Sequence, residues 1–268
     1  MLEIAELARS TFFYQMKAQS VSDKNQALKQ KILAIYNQHK GRYGYRRITA
    51  TIRNSGVLVN HKKIQKLMRE LKLKSCTRLK KYRTYKGDIG KTVENLLQRQ
   101  FRAERPNEKW VTDVTEFKVR GRRLYLSPVL DLYNSEIISY NITDSPGFDM
   151  VKKMMLQAMK KLKPQEKPLL HSDQGWQYQL KQFQKMIQRR GLVQSMSRKG
   201  NCLDNAVIEN FFGILKSECY YTQKFQTIEQ LEKVLHQYIH YYNHDRIKQK
   251  LGGLSPVDYR ARYCLAVA

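Results

Sequence analysis

The spacing of apolar side chains changes period near residue 110 of the 268-residue chain. Before that point the pattern is helical. Leu2, Ile4, Ala5, Leu7 and Ala8 suit a first helix, and Ser10-Thr11 has the chemistry of a new N-cap. Residues 26–39 place Leu28, Ile32, Ile35 and Tyr36 at helical spacing. Gly41 and Gly44 interrupt the chain in GRYGYRRI, and Ile48, Ile52 and Gly56 predict a short helix and its stop. Asn60 then caps HKKIQKLMREL, where Ile64, Leu67, Met68 and Leu71 form an apolar stripe. Two short helices joined by a glycine-containing turn predict a helix-turn-helix. From Trp110 the pattern alternates. WVTDVTEFKV, RRLYLSPVLDLY and EIISYNIT read as three strands of an antiparallel meander. A helix over 147–162, a strand at PLLHSD, a helix at QLKQFQKMIQRR and a strand around LVQSM follow. Helices over 203–217 and 227–242 complete a mixed α/β layout.

Charge divides the chain in the same way. The net charge is +27 with 41% hydrophobic residues, so a wholly disordered basic tail is excluded and a polyanion becomes the default partner. Residues 1–105 hold 25 Lys/Arg against 7 Asp/Glu, and the other 163 hold 25 against 16. This asymmetry predicts a nucleic-acid-binding front and a differently tasked back, with a boundary near 102–107. Arg46, Arg47, Lys62, Lys63, Lys66 and Arg69 are the candidate DNA contacts, and a solvated basic helix is the plainer reading. Residues 72–86 interleave Tyr82 and Tyr85 with basic side chains and suit a phosphate-tracking or simply solvated linker. No apolar run approaches 18 residues, and MLEIAELARS lacks the form of a secretory signal. Four scattered cysteines fit a reducing cytosol.

Three acids stand out by context. Asp113 lies inside the first strand, where a carboxylate is costly unless paired, hydrogen-bonded or bound to a cation. Asp173 ends an apolar strand, the place where α/β sites collect. Glu209 is within an apolar helix, with Asn205 one turn before it and Lys216 two turns after it on the same face. Fifty-nine residues separate the first two acids and 35 the last two. Asp131 reads as structural, Asp204 as an N-terminal dipole partner or cap, and His171 as a packed or hydrogen-bonded histidine. His236, His240 and His244 recur every fourth residue, but no cysteine pair accompanies them and His244 is expected past the helix end.

With these motifs in order, the chain closely resembles DDE transposases of the IS-three insertion-sequence family, specifically the second-reading-frame (OrfB) product. WVTDVTEF, HSDQGWQY and SRKGNCLDNAVIENFFGILKSE carry the acids, with LARSTFFY and GRYGYRRI upstream and YNHDRIKQKLGGLSPVDYR downstream. The resemblance implies a ribonuclease-H-like mixed five-stranded sheet with flanking helices, preceded by an all-α helix-turn-helix module. The expected organisation is a helical DNA-binding module (1–75), a basic linker (76–105), an integrase-like catalytic core (106–218) and a C-terminal helical extension (219–268). It implies that Asp113, Asp173 and Glu209 hold two Mg²⁺ ions, with Mn²⁺ as a substitute, for DNA cleavage and 3′-OH strand transfer. Lys216 would contact the DNA backbone near the site. Insertion-sequence ends and target DNA, the upstream-frame protein (OrfA) and further copies of the chain in a synaptic complex are the implied partners, in a nucleoid-associated cytoplasmic setting. Two other readings remain open: a degenerate transposase acting as a DNA-binding regulator, and a recombinase with a covalent tyrosine or serine nucleophile.

Overall fold

The computed structural model describes residues 8–13, 23–75, 93–198 and 201–264. The apolar run Leu2–Leu7 and the tyrosines at 82 and 85 lie outside them. Residues 9–13 are helical, so Ser10 and Thr11 stand within a helical turn and not at its cap. The chain forms two compact units, Met1–Ser75 and Cys76–Ala268.

Beyond the turn at residues 9–13, the described residues of the first unit form helices α1 (Gln26–Gln38), α2 (Tyr45–Asn54) and α3 (His61–Glu70). Their apolar stripes meet at Ile32, Ile48, Ile52, Ile64, Leu67 and Met68, all buried. Gly56 takes φ +84° in the turn after α2, a conformation that costs a Cβ-bearing residue more than glycine. Asn60 caps α3 as expected, its Oδ1 accepting from Lys62 N at 2.9 Å. Lys29 ties α1 to the end of α3 through Glu70 at 2.8 Å.

A mixed sheet forms the centre of the second unit. Its strands are β1 (Lys109–Thr112), β2 (Thr115–Val119), β3 (Arg122–Asp131), β4 (Ile137–Thr143), β5 (Leu169–Ser172) and β6 (Val193–Met196). The order is β2-β3-β1-β5-β6, with β4 on the other edge of β3. The first predicted strand is thus split, yet its register against β3 is unbroken: Thr112 pairs with Val129 and Thr115 with Leu126. Counting on between those pairs sets Asp113 opposite Pro128. Leu132 N donates to Lys109 O, so Lys109, Val111 and Asp113 are the positions that exchange hydrogen bonds with β3. Pro128 has no N–H for the Asp113 carbonyl, and the ladder lapses there. Six segments therefore fill five sheet positions.

Alternation along β1 feeds two cores. Trp110 packs with α4 (Phe148–Lys160), α5 (Trp176–Gln179) and α6 (Lys181–Arg189) on one face. Val111 packs with α7 (Ala206–Leu215) and α8 (Ile228–His244) on the other. Leu97 and Ala103, from the 76–105 stretch, are buried in this second core. The helix expected over 203–217 is three pieces: a 3₁₀ turn at Cys202–Asn205, α7, and a π-helical turn at Lys216–Tyr220. His244 is the last residue of α8 and not beyond it, its ring stacked on His240 at 4.4 Å. α9 (Pro256–Cys264) closes the unit.

Candidate active site

Strands β1 and β5 are parallel neighbours, with Thr112 paired to Ser172. The next residue on each is an acid. Asp113 and Asp173 therefore leave adjacent strand ends at the same level, at the carboxyl edge where a parallel sheet collects ligands. Each has one oxygen tied to the backbone. Asp113 Oδ1 accepts from Val114 N at 2.7 Å, and Asp173 Oδ1 accepts from Gly175 N at 2.9 Å. A Cβ on Gly175 would lie 2.9 Å from Asp173 Oδ1, so glycine keeps this turn closed. Glu209 enters from the first turn of α7, half-buried.

The charges of the three acids act on one another. Burial pushes Asp113 well above the usual carboxylate range, and the charges of Asp173 and Glu209 push it further. Burial likewise raises Asp173 against the Gly175 N–H, and raises Glu209 together with the Asp173 charge. As the side chains stand, no three carboxylate, imidazole or thiol groups among the described residues close around a common point. Asn205, one turn before Glu209, buries both atoms of its amide with no hydrogen-bond partner among the described residues.

Lys216 belongs to the same neighbourhood. Its ammonium lies 5.2 Å from the centre of the Phe117 ring. Burial lowers its pKa to about 8, while the charges of Glu116 and Asp113 oppose that fall. The π-helical turn that begins at Lys216 is pinned by a buried pair. Arg246 donates from Nε and Nη2 to the two oxygens of Glu218, at 2.8 and 2.6 Å, and Tyr238 OH donates to Glu218 Oε2 at 2.9 Å. Thus Arg246, just past the end of α8, and Tyr238 within it brace the segment that continues the helix carrying Glu209.

Comparison with known proteins places this arrangement. Residues 103–202 and 209–263 match two integrase core domain families, and residues 23–81 match an HTH-like domain. The chain is 54% identical over 260 residues to the transposase InsK for insertion sequence element IS150 of Escherichia coli (strain K12), covering 97% of this chain and 92% of that protein. The transposase for insertion sequence element IS904 of Lactococcus lactis is 34% identical, with 87% and 92% covered. InsF for insertion sequence IS3A of Escherichia coli (strain K12) is 32% identical, with 85% and 80% covered. The chain belongs to the IS-three family of insertion-sequence transposases. Among solved structures, it is similar to the HTLV-2 integrase catalytic core domain in complex with magnesium, with TM-score 0.48 and 18% identity over 59% of this chain and 99% of that one.

Elsewhere the transposase differs from what its sequence predicts in one telling place. Asp204 does not cap α7. It is fully buried and accepts from Arg198 N, Nε and Nη2, from Arg99 Nε and from Asn95 Nδ2, all at 2.8–3.1 Å. These donors, Arg198 first, hold its carboxyl far below the usual range. Nothing in the local pattern marked Arg99, which is 105 positions away in the chain. His171 is buried and hydrogen-bonded. Ser195 Oγ accepts from Leu96 N and Leu97 N, so its own proton goes to His171 Nδ1 at 2.8 Å. The ring proton then sits on Nε2, facing Ser197 Oγ at 3.2 Å. Burial lowers the His171 pKa to about 4. Asp131 is structural, accepting from Asn107 N, Tyr133 N and Arg260.

In the helical unit Arg46, Lys62, Lys63, Lys66 and Arg69 are exposed. Arg47 is half-buried, its guanidinium 5.6 Å from the Tyr43 ring centre and its Nη1 donating to Arg42 O at 3.4 Å.

No described helix is long and apolar enough to cross a membrane.

Proposed function

We propose that this transposase cleaves DNA at the ends of its insertion sequence and joins the freed 3′-OH to target DNA by metal-assisted transesterification at Asp113, Asp173 and Glu209. One observation carries the reading: the Thr112–Ser172 register puts a buried acid, Asp113, beside the half-buried Asp173, and Glu209 repels both. Three mutually repelling carboxylates are hard oxygen donors, and a dication relieves the repulsion that raises their pKa values. The Asn205 amide, one turn before Glu209 and without a hydrogen-bond partner among the described residues, agrees with a polar ligand near that acid. The donor set therefore fits Mg²⁺, with Mn²⁺ as a substitute. When bound, a pair of such ions neutralises charge on the attacking and leaving oxygens.

The protein's own groups do the rest. The Val114 and Gly175 N–H groups fix one oxygen of each aspartate and so orient the other. Lys216, beside Asp113, meets the DNA backbone as a point charge. Arg46, Lys62, Lys63, Lys66 and Arg69, with a lesser part for the half-buried Arg47, hold phosphates of the insertion-sequence end. In strand transfer one P–O bond forms as another breaks, so no nucleoside triphosphate is required. A second copy of the chain for the paired DNA end, and an upstream-frame (OrfA) partner or fusion, complete the proposed assembly in the nucleoid.

Strand transfer on labelled DNA bearing the flanking ends tests the reading. Wild type and Glu209→Gln are compared in Mg²⁺ and in chelator, with and without the upstream-frame protein. Mg²⁺-dependent joined product from wild type alone supports it. Equal product from both proteins, or a covalent protein–DNA adduct, refutes it. Tight end binding with no product from either protein points to the regulator.

A further inference from the structure

We propose that Arg99 and Arg198, held by Asp204, form a preset fork for one backbone phosphate of the DNA strand flanking the acids. The inference rests on the DNA-joining reading above.

Charge does not balance at this cluster. Two guanidiniums converge on one carboxylate, leaving a net positive charge. Asp204 is fully buried, whereas the Arg99 and Arg198 side chains remain 43% and 59% exposed. One arginine would suffice to anchor a loop. The pair keeps its outer donors toward solvent in a fixed orientation, because Arg198 is doubly bonded to Asp204 and Arg99 also donates from Nη2 to Asn201 Oδ1 at 2.9 Å. Guanidiniums in fixed orientation lose little freedom on meeting a phosphate, which is their natural bidentate partner.

Position supports the same ligand. Arg198 lies two residues beyond β6, whose last residue, Met196, pairs with Ser172. Ser197 N donates to Ser172 O at 2.9 Å, and Gln174 Nε2 donates to Ser197 O at 3.0 Å. The fork therefore rises from the sheet edge that carries Asp113 and Asp173. Asp113 and Ser197 leave strands two positions apart, about 10 Å at ordinary strand spacing. That distance places the fork on a neighbouring phosphate and not on the reacting one. A site of three carboxylates repels DNA, and a rigid cationic pair at its rim offsets that repulsion.

The test uses the full-length chain and a duplex carrying the insertion-sequence end. Affinity is measured against salt concentration for wild type, Arg99→Gln and Arg198→Gln, with melting temperature as the folding control. Each lost phosphate contact is expected to flatten the plot of log affinity against log salt by about 0.9. Methylphosphonate scanning of the duplex should find one position where neutralising the phosphate weakens wild type but not Arg198→Gln. Arg198→Lys keeps the charge and should restore part of the slope. Unchanged slopes in both glutamine variants, or no such position, overturn the fork. If wild type joins no DNA in Mg²⁺, the parent reading fails whatever the slopes. If wild type binds no DNA at all, both fail.

Discussion

Replacing Asp113 by Asn should stabilise the metal-free core while removing strand transfer. The sign follows from the site. Burial and the charges of Asp173 and Glu209 raise the Asp113 pKa above its ordinary 3.8. The folded chain thus holds a proton here more tightly than the unfolded chain does. Losing that proton costs the folded chain more than the unfolded one, so Asp113 lowers stability at neutral pH, and the cost is relieved as pH falls through the raised folded value. Asp113 and Asp173 leave adjacent parallel strands, so their charges lie about 5 Å apart. At an effective dielectric constant of about 20, that repulsion is about 3 kcal/mol before any relaxation. Asn keeps an oxygen for the Val114 N–H and drops the charge. A gain of about 2 kcal/mol is expected, or roughly 4–8 °C in the melting transition of a core this size. Differential scanning calorimetry in chelator at pH 7.5 reads it. The gain should shrink at pH 4 and in millimolar Mg²⁺, where wild type is relieved by protons or by the cation. A variant less stable than wild type, or a gain that persists unchanged under both conditions, would refute the reasoning.

Other residues give sharper local tests. His171 is held neutral, with its pKa lowered from 6.5 to about 4. Its contribution should be intact above about pH 6.5 and fall by roughly 3 kcal/mol as pH drops through that window to 4. Urea midpoints of wild type minus His171→Gln across pH 4–7 read this directly, and a flat difference would contradict it. Arg246→Ala takes the guanidinium away from the buried Glu218 charge, so core stability should fall by about 3–5 kcal/mol. Glu218→Leu with Arg246→Met should recover most of that loss in chemical denaturation, since no charge is then stranded. Asn60→Ala removes the side-chain acceptor for Lys62 N and should cost about 1 kcal/mol. Hydrogen exchange should show the loss in α3 with the core strands untouched.

The acids were legible for a physical reason. A carboxylate inside a β-branched strand, one at the end of an apolar strand and one on an apolar helix are each anomalies that burial makes costly. The pattern of order and spacing turned three anomalies into one candidate site. The helix-turn-helix was legible because Asn60, Gly56 and the stripe from Ile64 to Met68 are all local signals. Asp204 was not. Its neighbours in sequence suggested an N-terminal dipole partner or cap, and the arginine from residue 99 arrives only through tertiary folding. The π-helical turn at Lys216 was hidden too, since the apolar period through ILKSECY is compatible with a continuous α-helix. Its cause is remote: Glu218 is drawn to Arg246, 28 positions on.

The split in the first strand links sequence to chemistry more closely than any motif does. Pro128 is a poor residue for a central strand, because it removes a ladder donor. Here the missing donor falls opposite Asp113, so the backbone of that residue is released from β3. The side chain then closes on the Val114 N–H. On the neighbouring strand Asp173 does the same with the Gly175 N–H, where the strand has already ended. Both acids thus use a local backbone turn to fix one oxygen, but one turn follows a strand end and the other sits inside a strand whose register continues. A proline three residues from the end of β3 makes the middle of a strand behave as its end. That is how two acids with 59 residues between them in sequence come to leave the same level of the sheet.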